Sequence, residues 1–240
     1  MMSTLTLPVS VEERLAGWVR IQESRRKVAP AKQKPHPTVT ISRQFGCEGF
    51  PLAVRLQTLF EQASGEPWHI FDKELIEKVS QDEQISLRVL TTLEEPSRYL
   101  EDYGFHPRGS VTTDQALNKI AVHILHFARE GNAIIVGRGG AAVCRKLANC
   151  FHFRLEAGLD WRVASLMKRL GISRREALER ERAQSKLRDH FLQEYLGTDM
   201  AHAVFYDAVF NNERHGVEEI AAAIMAYVRT AWRGQGQLLL

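Results

Sequence analysis

Short β-rich runs alternating with longer helical ones predict an α/β fold with a parallel sheet and crossover helices. The first β-run also ends in a glycine-bearing bend that leads straight into a helix opening with Pro51, the arrangement that places ligands at the carboxyl edge of such a sheet. Five strands are predicted, at 38–42 (TVTIS), 68–71 (WHIF), 133–137 (AIIVG), 151–155 (FHFRL) and 207–210 (DAVF). Helices are expected between and around them at 50–63, 73–80, 113–130, 159–170, 173–195 and 216–232.

A further helix is expected at 10–27. Ser10 and Glu13 make a capping box, and Val11, Leu15, Trp18 and Val19 recur at helical spacing. The segment is amphipathic and mixes acidic with basic residues, which favours a docking or dimerisation helix over a membrane-surface one. A basic, proline-containing stretch, 25–37, connects it to the main body. The chain thus divides into an N-terminal helix with its connector (1–37), one α/β domain (38–232) and a short tail (233–240).

Composition narrows the function classes. With 240 residues, 44% hydrophobic and 25% charged, the chain is an ordinary globular protein. No apolar run approaches the roughly 20 residues that span a bilayer, and the start lacks the pattern of a secretory signal, so a cytoplasmic protein without a membrane partner is expected. A net charge of +3 is too small to argue for nucleic acid and suits an anionic small molecule equally well. Cys47, Cys144 and Cys150 show neither disulfide nor zinc spacing. His123 and His126 share a helix face with no third ligand in view, so no metal site is read there.

The bend after the first strand, RQFGCEG, carries Gly46 and Gly49, where backbone can approach a phosphate and the following helix adds unpaired amides and its dipole. Taken alone, such a turn also needs glycine for geometry. Far downstream, 173–195 begins with a second capping box, Ser173 and Glu176. That helix is almost entirely polar, fit for a solvated face or an arm closing over a charged ligand.

ISRQFGCEGFPLA at 41–53 resembles the opening of the cytidylate kinase-like family, P-loop relatives of nucleoside monophosphate kinases. The resemblance continues through FDKELI (71–76), NAIIVGRGG (132–140), NCFHFRL (149–155), WRVASLMKRLGISRREA (161–177) and YDAVFNN (206–212). It implies a three-layer P-loop NTPase-like fold with an N-terminal helical extension. It also implies an ATP-dependent kinase that uses Mg²⁺ and takes a nucleoside monophosphate such as CMP as acceptor.

By that resemblance, Ser42, Arg43, Gly46, Cys47, Glu48, Gly49 and Phe50 form the phosphate loop, and Asn211 borders the base. The loop departs from the P-loop pattern: Gly49 stands at the lysine, and Phe50 where the family usually offers an arginine. Arg43 is the nearest cation able to replace the lysine. Glu48 beside a phosphate about 4 Å away would cost on the order of 1 to 4 kcal/mol, unless it turns to solvent or holds magnesium.

Asp72 and Arg138 are implied as acceptor-binding residues. Asp72 is equally suited to cap the helix that follows it, and Arg138 is otherwise a surface cation. The polar helix would be a lid whose Arg182, Lys186 and Arg188 act on the phosphoryl group in flight; otherwise they form helical salt bridges with Glu181 and its neighbours. Here the chain reads Ser185-Lys186-Leu187-Arg188 where the family has D-K-R-R, and Gly137-Arg138-Gly139 where cytidylate kinases have Gly-Arg-Asp. These departures leave open a nucleotide-binding regulatory module on the same fold. Asn211 and Asn212 also fit a plain turn.

Overall fold

A computed structural model of the chain describes residues 10–27, 36–81, 111–196 and 201–234. Residues 28–35 of the expected connector and 235–240 of the expected tail lie outside them. Five strands, β1 (Thr38–Arg43), β2 (His69–Phe71), β3 (Ala133–Val136), β4 (Cys150–Glu156) and β5 (Ala208–Asn211), form one sheet in the order β2-β3-β1-β4-β5. Every neighbouring pair is parallel, and Thr38 sits level with Ala133 on one side and Cys150 on the other.

The α-helices among the described residues are α1 (Val11–Lys27), α2 (Gly49–Ser64), α3 (Lys73–Gln81), α4 (Val111–Glu130), α5 (Gly140–Val143), α6 (Leu159–Leu170), α7 (Arg174–Leu196) and α8 (Val217–Gly234). Period-two side-chain alternation divides the core between the sheet's two faces. Ile134 and Val136 of β3 join Val39 and Ile41 of β1 under α2 and α8. Ala133 and Ile135 face the opposite way, toward α1, α3, α4 and α5. On that side β1 presents Thr38 and Thr40, whose buried hydroxyls are paired: Thr38 Oγ1 donates to Ala128 O at 2.9 Å, and Thr40 Oγ1 shares a 2.8 Å hydrogen bond with His152 Nδ1. The result is the three-layer α/β architecture expected from the sequence.

Both capping boxes form. Ser10 N donates to Glu13 Oε2 at 2.9 Å and Glu13 N to Ser10 Oγ at 3.1 Å; Ser173 N donates to Glu176 Oε2 at 2.9 Å. The apolar stripe of α1 is covered by its own chain: Leu15 and Trp18 are buried, and Trp18 stands edge-on to Phe127 and Phe71 with ring centroids 5.1 and 6.4 Å apart.

α5 is a single turn, too short for a periodic pattern to announce it. β5 starts one residue later than expected, and just before it the Asp207 carboxylate accepts the His152 amide at 2.6 Å. No helix among the described residues is long and apolar enough to cross a membrane.

Candidate functional site

β1 is the central strand, so its end delivers the chain to the middle of the sheet's carboxyl edge, and 44–48 form the bend before α2. Side chains and neighbouring strands pin that bend. Gln44 N donates to Leu155 O at 3.0 Å, the Ala157 amide donates to Gln44 Oε1 at 2.9 Å, and Glu48 N donates to Asn212 Oδ1 at 2.8 Å. Cys47 N closes the turn onto Gln44 O at 3.2 Å. Gly46 has φ +99°, and a Cβ there would stand 2.6 Å from Arg162 Cβ, so both conformation and space demand glycine. The amides of Phe45, Gly46, Gly49 and Phe50 have no hydrogen-bond partner among the described residues, and the last two open α2. Unpaired amides at a helix start are suited to an anion.

Arg43, the last residue of β1, lies across this bend. Its Cδ, Cγ and Nε are 3.1 to 3.3 Å from where a Gly49 Cβ would be, and its Nη1 lies against Gly137, whose φ is +78°. Two glycines therefore make a slot for one arginine. The guanidinium has no hydrogen bond or ion pair among the described residues. Burial, and after it the Arg188 charge, pull its pKa down to about 9, with Asp72 opposing and Arg138 adding to the fall.

Arg188 of α7 reaches the same place. It donates to Arg43 O at 3.0 Å and lies 5.2 Å over the Phe45 ring, with its pKa lowered by burial. Arg138, at φ +53°, pairs with Glu77, while its buried Nε lacks a partner. Arg43, Arg138 and Arg188 thus form a cation cluster. Arg182 and Lys186 are exposed on α7 and make no hydrogen bond or ion pair among the described residues.

Asp72 does cap α3, accepting the Leu75 amide at 3.0 Å, and also pairs with Arg14 of α1 at 3.1 Å. Glu48 is half-buried, and its carboxylate makes no hydrogen bond or ion pair among the described residues. Ser42, next to Arg43 and one residue before the end of β1, is half-buried. Asn211 Oδ1 accepts the Glu213 and Arg214 amides at 3.0 and 3.1 Å, a turn-forming pattern, and Asn211 also borders a cleft of about 340 Å³ shared with Gln44, Ala157, Gly158 and Phe210.

Cys47 is buried, and desolvation pushes its thiol from 9.0 up to about 11 although Arg162, Arg169 and Arg188 oppose this. The native thiol stays protonated at pH 8, and the other two cysteines are buried as well. Native protein at pH 8 is expected to leave all three thiols unmodified by a disulfide reagent over minutes, with three reacting after unfolding. Because the Cys47 pKa is raised on folding, its contribution favours the fold below the unfolded value of about 8.5 and is lost as pH climbs toward 11. Denaturant midpoints measured from pH 8 to 11 check the sign.

The sequence reading missed Arg162 and Arg169, which hold the bend from behind. Arg162 donates to Ala157 O at 3.0 Å and Phe45 O at 3.1 Å and pairs with the buried Glu181 of α7; Arg169 Nη2 donates to Gly46 O at 2.6 Å. Their spacing of seven, two helical turns on one face of α6, was the available signal. Arg14 was missed because nothing local marks it.

Residues 38–214 match the sequence profile of the cytidylate kinase-like family. No curated protein matches the chain in sequence. Among solved structures, an uncharacterized protein from Eubacterium ventriosum is similar with a TM-score of 0.62 at 20% identity, over 81% of this chain and 99% of that one. A shikimate kinase from Bacteroides thetaiotaomicron aligns with a TM-score of 0.41 at 11% identity, over 80% of this chain and 98% of that one. With the matched span covering most of the chain, from the first strand through the last, this protein belongs to the cytidylate kinase-like family.

Proposed function

We propose that the chain transfers the γ-phosphoryl group of ATP to a nucleoside monophosphate such as CMP. The observation that carries this reading is Arg43: a half-buried guanidinium, without a hydrogen bond or ion pair among the described residues, held at the start of α2 on the carboxyl edge of the sheet. A buried charge without a counter-ion is costly, and an anion with several oxygens relieves that cost.

In this reading the β- and γ-phosphates lie on the amides of Gly46, Gly49 and Phe50 and against Arg43, with Ser42, Cys47 and Glu48 shaping the loop. The base lies in the cleft beside Asn211. The acceptor lies between Asp72 and Arg138, and its phosphate oxygen attacks the γ-phosphorus as the bond to ADP breaks. Arg188 meets the charge that develops on the transferred group, while Arg182 and Lys186, exposed on the same helix, join it only if α7 closes further. Positioning and positive charge are what this transfer requires of a protein.

Magnesium would arrive with ATP and neutralise its phosphates. The side chains at the bend do not build a cage for it: Glu48 is the only carboxylate on the bend, and the described residues hold no group of three His, Cys, Asp or Glu fit for a metal.

A second reading, a nucleotide-binding regulatory module, draws on the same bend. The Gln44, Cys47 and Glu48 amides are already bonded within the protein, so fewer remain for phosphate. Purified protein with ATP, magnesium and a panel of CMP, UMP, AMP and GMP separates the two. Formation of ADP together with a nucleoside diphosphate is the expected result; ATP binding without turnover favours the regulatory module, and no nucleotide binding overturns both.

A further inference from the structure

α1 lies outside the span matched to the family, yet its Arg14 reaches the edge of the site. Arg14 Nη2 approaches both Asp72 oxygens at 3.1 and 3.4 Å, Nη1 donates to Ile70 O at 3.4 Å, and the guanidinium carbon lies 5.6 Å from the centre of the Phe50 ring. One planar cation therefore joins the end of β2, the cap of α3 and the first turn of α2. Both side chains of the Arg14–Asp72 pair are mostly buried, 15% and 16% exposed, and the Arg14 Nε is buried without an acceptor. An arginine fork constrains the orientation of a carboxylate where a lysine would not.

Two further contacts fix α1 in this place. Trp18 stands edge-on against the stacked rings of Phe71 and Phe127, and Lys78 of α3 pairs with Glu12. Phe71 immediately precedes Asp72, so the anchor and the ion pair act on the same short stretch of chain.

We propose that α1 is a working part of the site and that Arg14 is a positioning residue for the monophosphate acceptor, holding Asp72 and Phe50 in place and neutralising the Asp72 charge beside an anionic substrate. This rests on the kinase reading above. With α1 undocked, Asp72 loses its counter-ion and stands as an unneutralised carboxylate near the acceptor phosphate.

The test measures ATP and monophosphate binding separately, by calorimetry on the full chain. The probe is whichever of CMP, UMP, AMP and GMP the wild type binds most tightly. Arg14→Ala is expected to weaken monophosphate binding about tenfold and leave ATP binding within about twofold, with Arg14→Lys falling between it and wild type. Trp18→Ala, outside the site, is expected to reproduce the selective loss by releasing the helix. Equal losses for both ligands, or none for either, in variants whose circular dichroism matches wild type would overturn the proposal and reduce α1 to packing. A wild type that binds ATP but no monophosphate refutes the kinase reading and this proposal with it. A wild type that binds both, with unaffected variants, refutes this proposal alone.

Discussion

Arg43→Met is expected to weaken ATP binding by about a hundredfold while leaving the melting temperature unchanged or higher. The two effects have one cause. Arg43 is half-buried beside Arg138 and Arg188 without an ion pair of its own among the described residues, so its partly desolvated charge is held in the fold at a cost that methionine, similar in length and apolar, does not incur. In the bound state the same charge meets phosphate through charge-assisted hydrogen bonds of about 1.5 to 3 kcal/mol each, and two such bonds correspond to a hundredfold or more. Calorimetric titration with ATP and thermal melts of both proteins check it. An ATP affinity within threefold of wild type would remove Arg43 from the phosphate site; a large fall in melting temperature would give it a structural role instead.

The second large effect is on stability. Glu181→Ala is expected to cost about 3 to 5 kcal/mol, because it leaves the Arg162 guanidinium buried without its partner. The two side chains are 11% and 7% exposed, and Glu181 also accepts the Ser185 hydroxyl at 2.7 Å. At about 2 to 4 °C per kcal/mol for a chain of this size, the melting temperature is expected to fall by roughly 10 °C. Replacing both partners with apolar residues, Arg162→Met with Glu181→Leu, is expected to recover much of the loss, since the isolated charge is then gone. A single variant that melts with wild type, or a double variant no better than the single one, would contradict this account of the pair. Because Arg162 also donates to Phe45 O, the single variant is further expected to loosen the bend and weaken nucleotide binding.

What was legible in the sequence was what local pattern encodes. The alternation that announced TVTIS and AIIVG as strands is the same alternation that sends Val39 and Ile134 to one core and Ala133 and Ile135 to the other. Both capping boxes were readable because their partners are three residues apart. The bend was readable from Gly46 and Gly49, for reasons only partly local: Gly46 meets a positive φ and also makes room for Arg162, and Gly49 makes room for Arg43.

The unread part of the site consists of long-range pairings. Arg14 meets Asp72 across 58 positions, and Arg188 meets Arg43 O across 145. Among the three α7 cations that the sequence offered alike, packing singles out Arg188 as half-buried, while Arg182 and Lys186 stay exposed. The polar character of α7 was legible as surface, but the burial of its Glu181 carboxylate was not. Only packing against α6 makes that position interior.

The account depends on phosphate settling on the first turn of α2. An amide proton–nitrogen NMR titration with ATP reads that contact directly, since an amide that gains an anionic acceptor moves downfield. The expected result is saturable downfield shifts at Gly46, Gly49 and Phe50, lost in Arg43→Met at the same nucleotide concentration. Saturable binding with those three amides unmoved would place the nucleotide elsewhere and contradict the phosphate site described above.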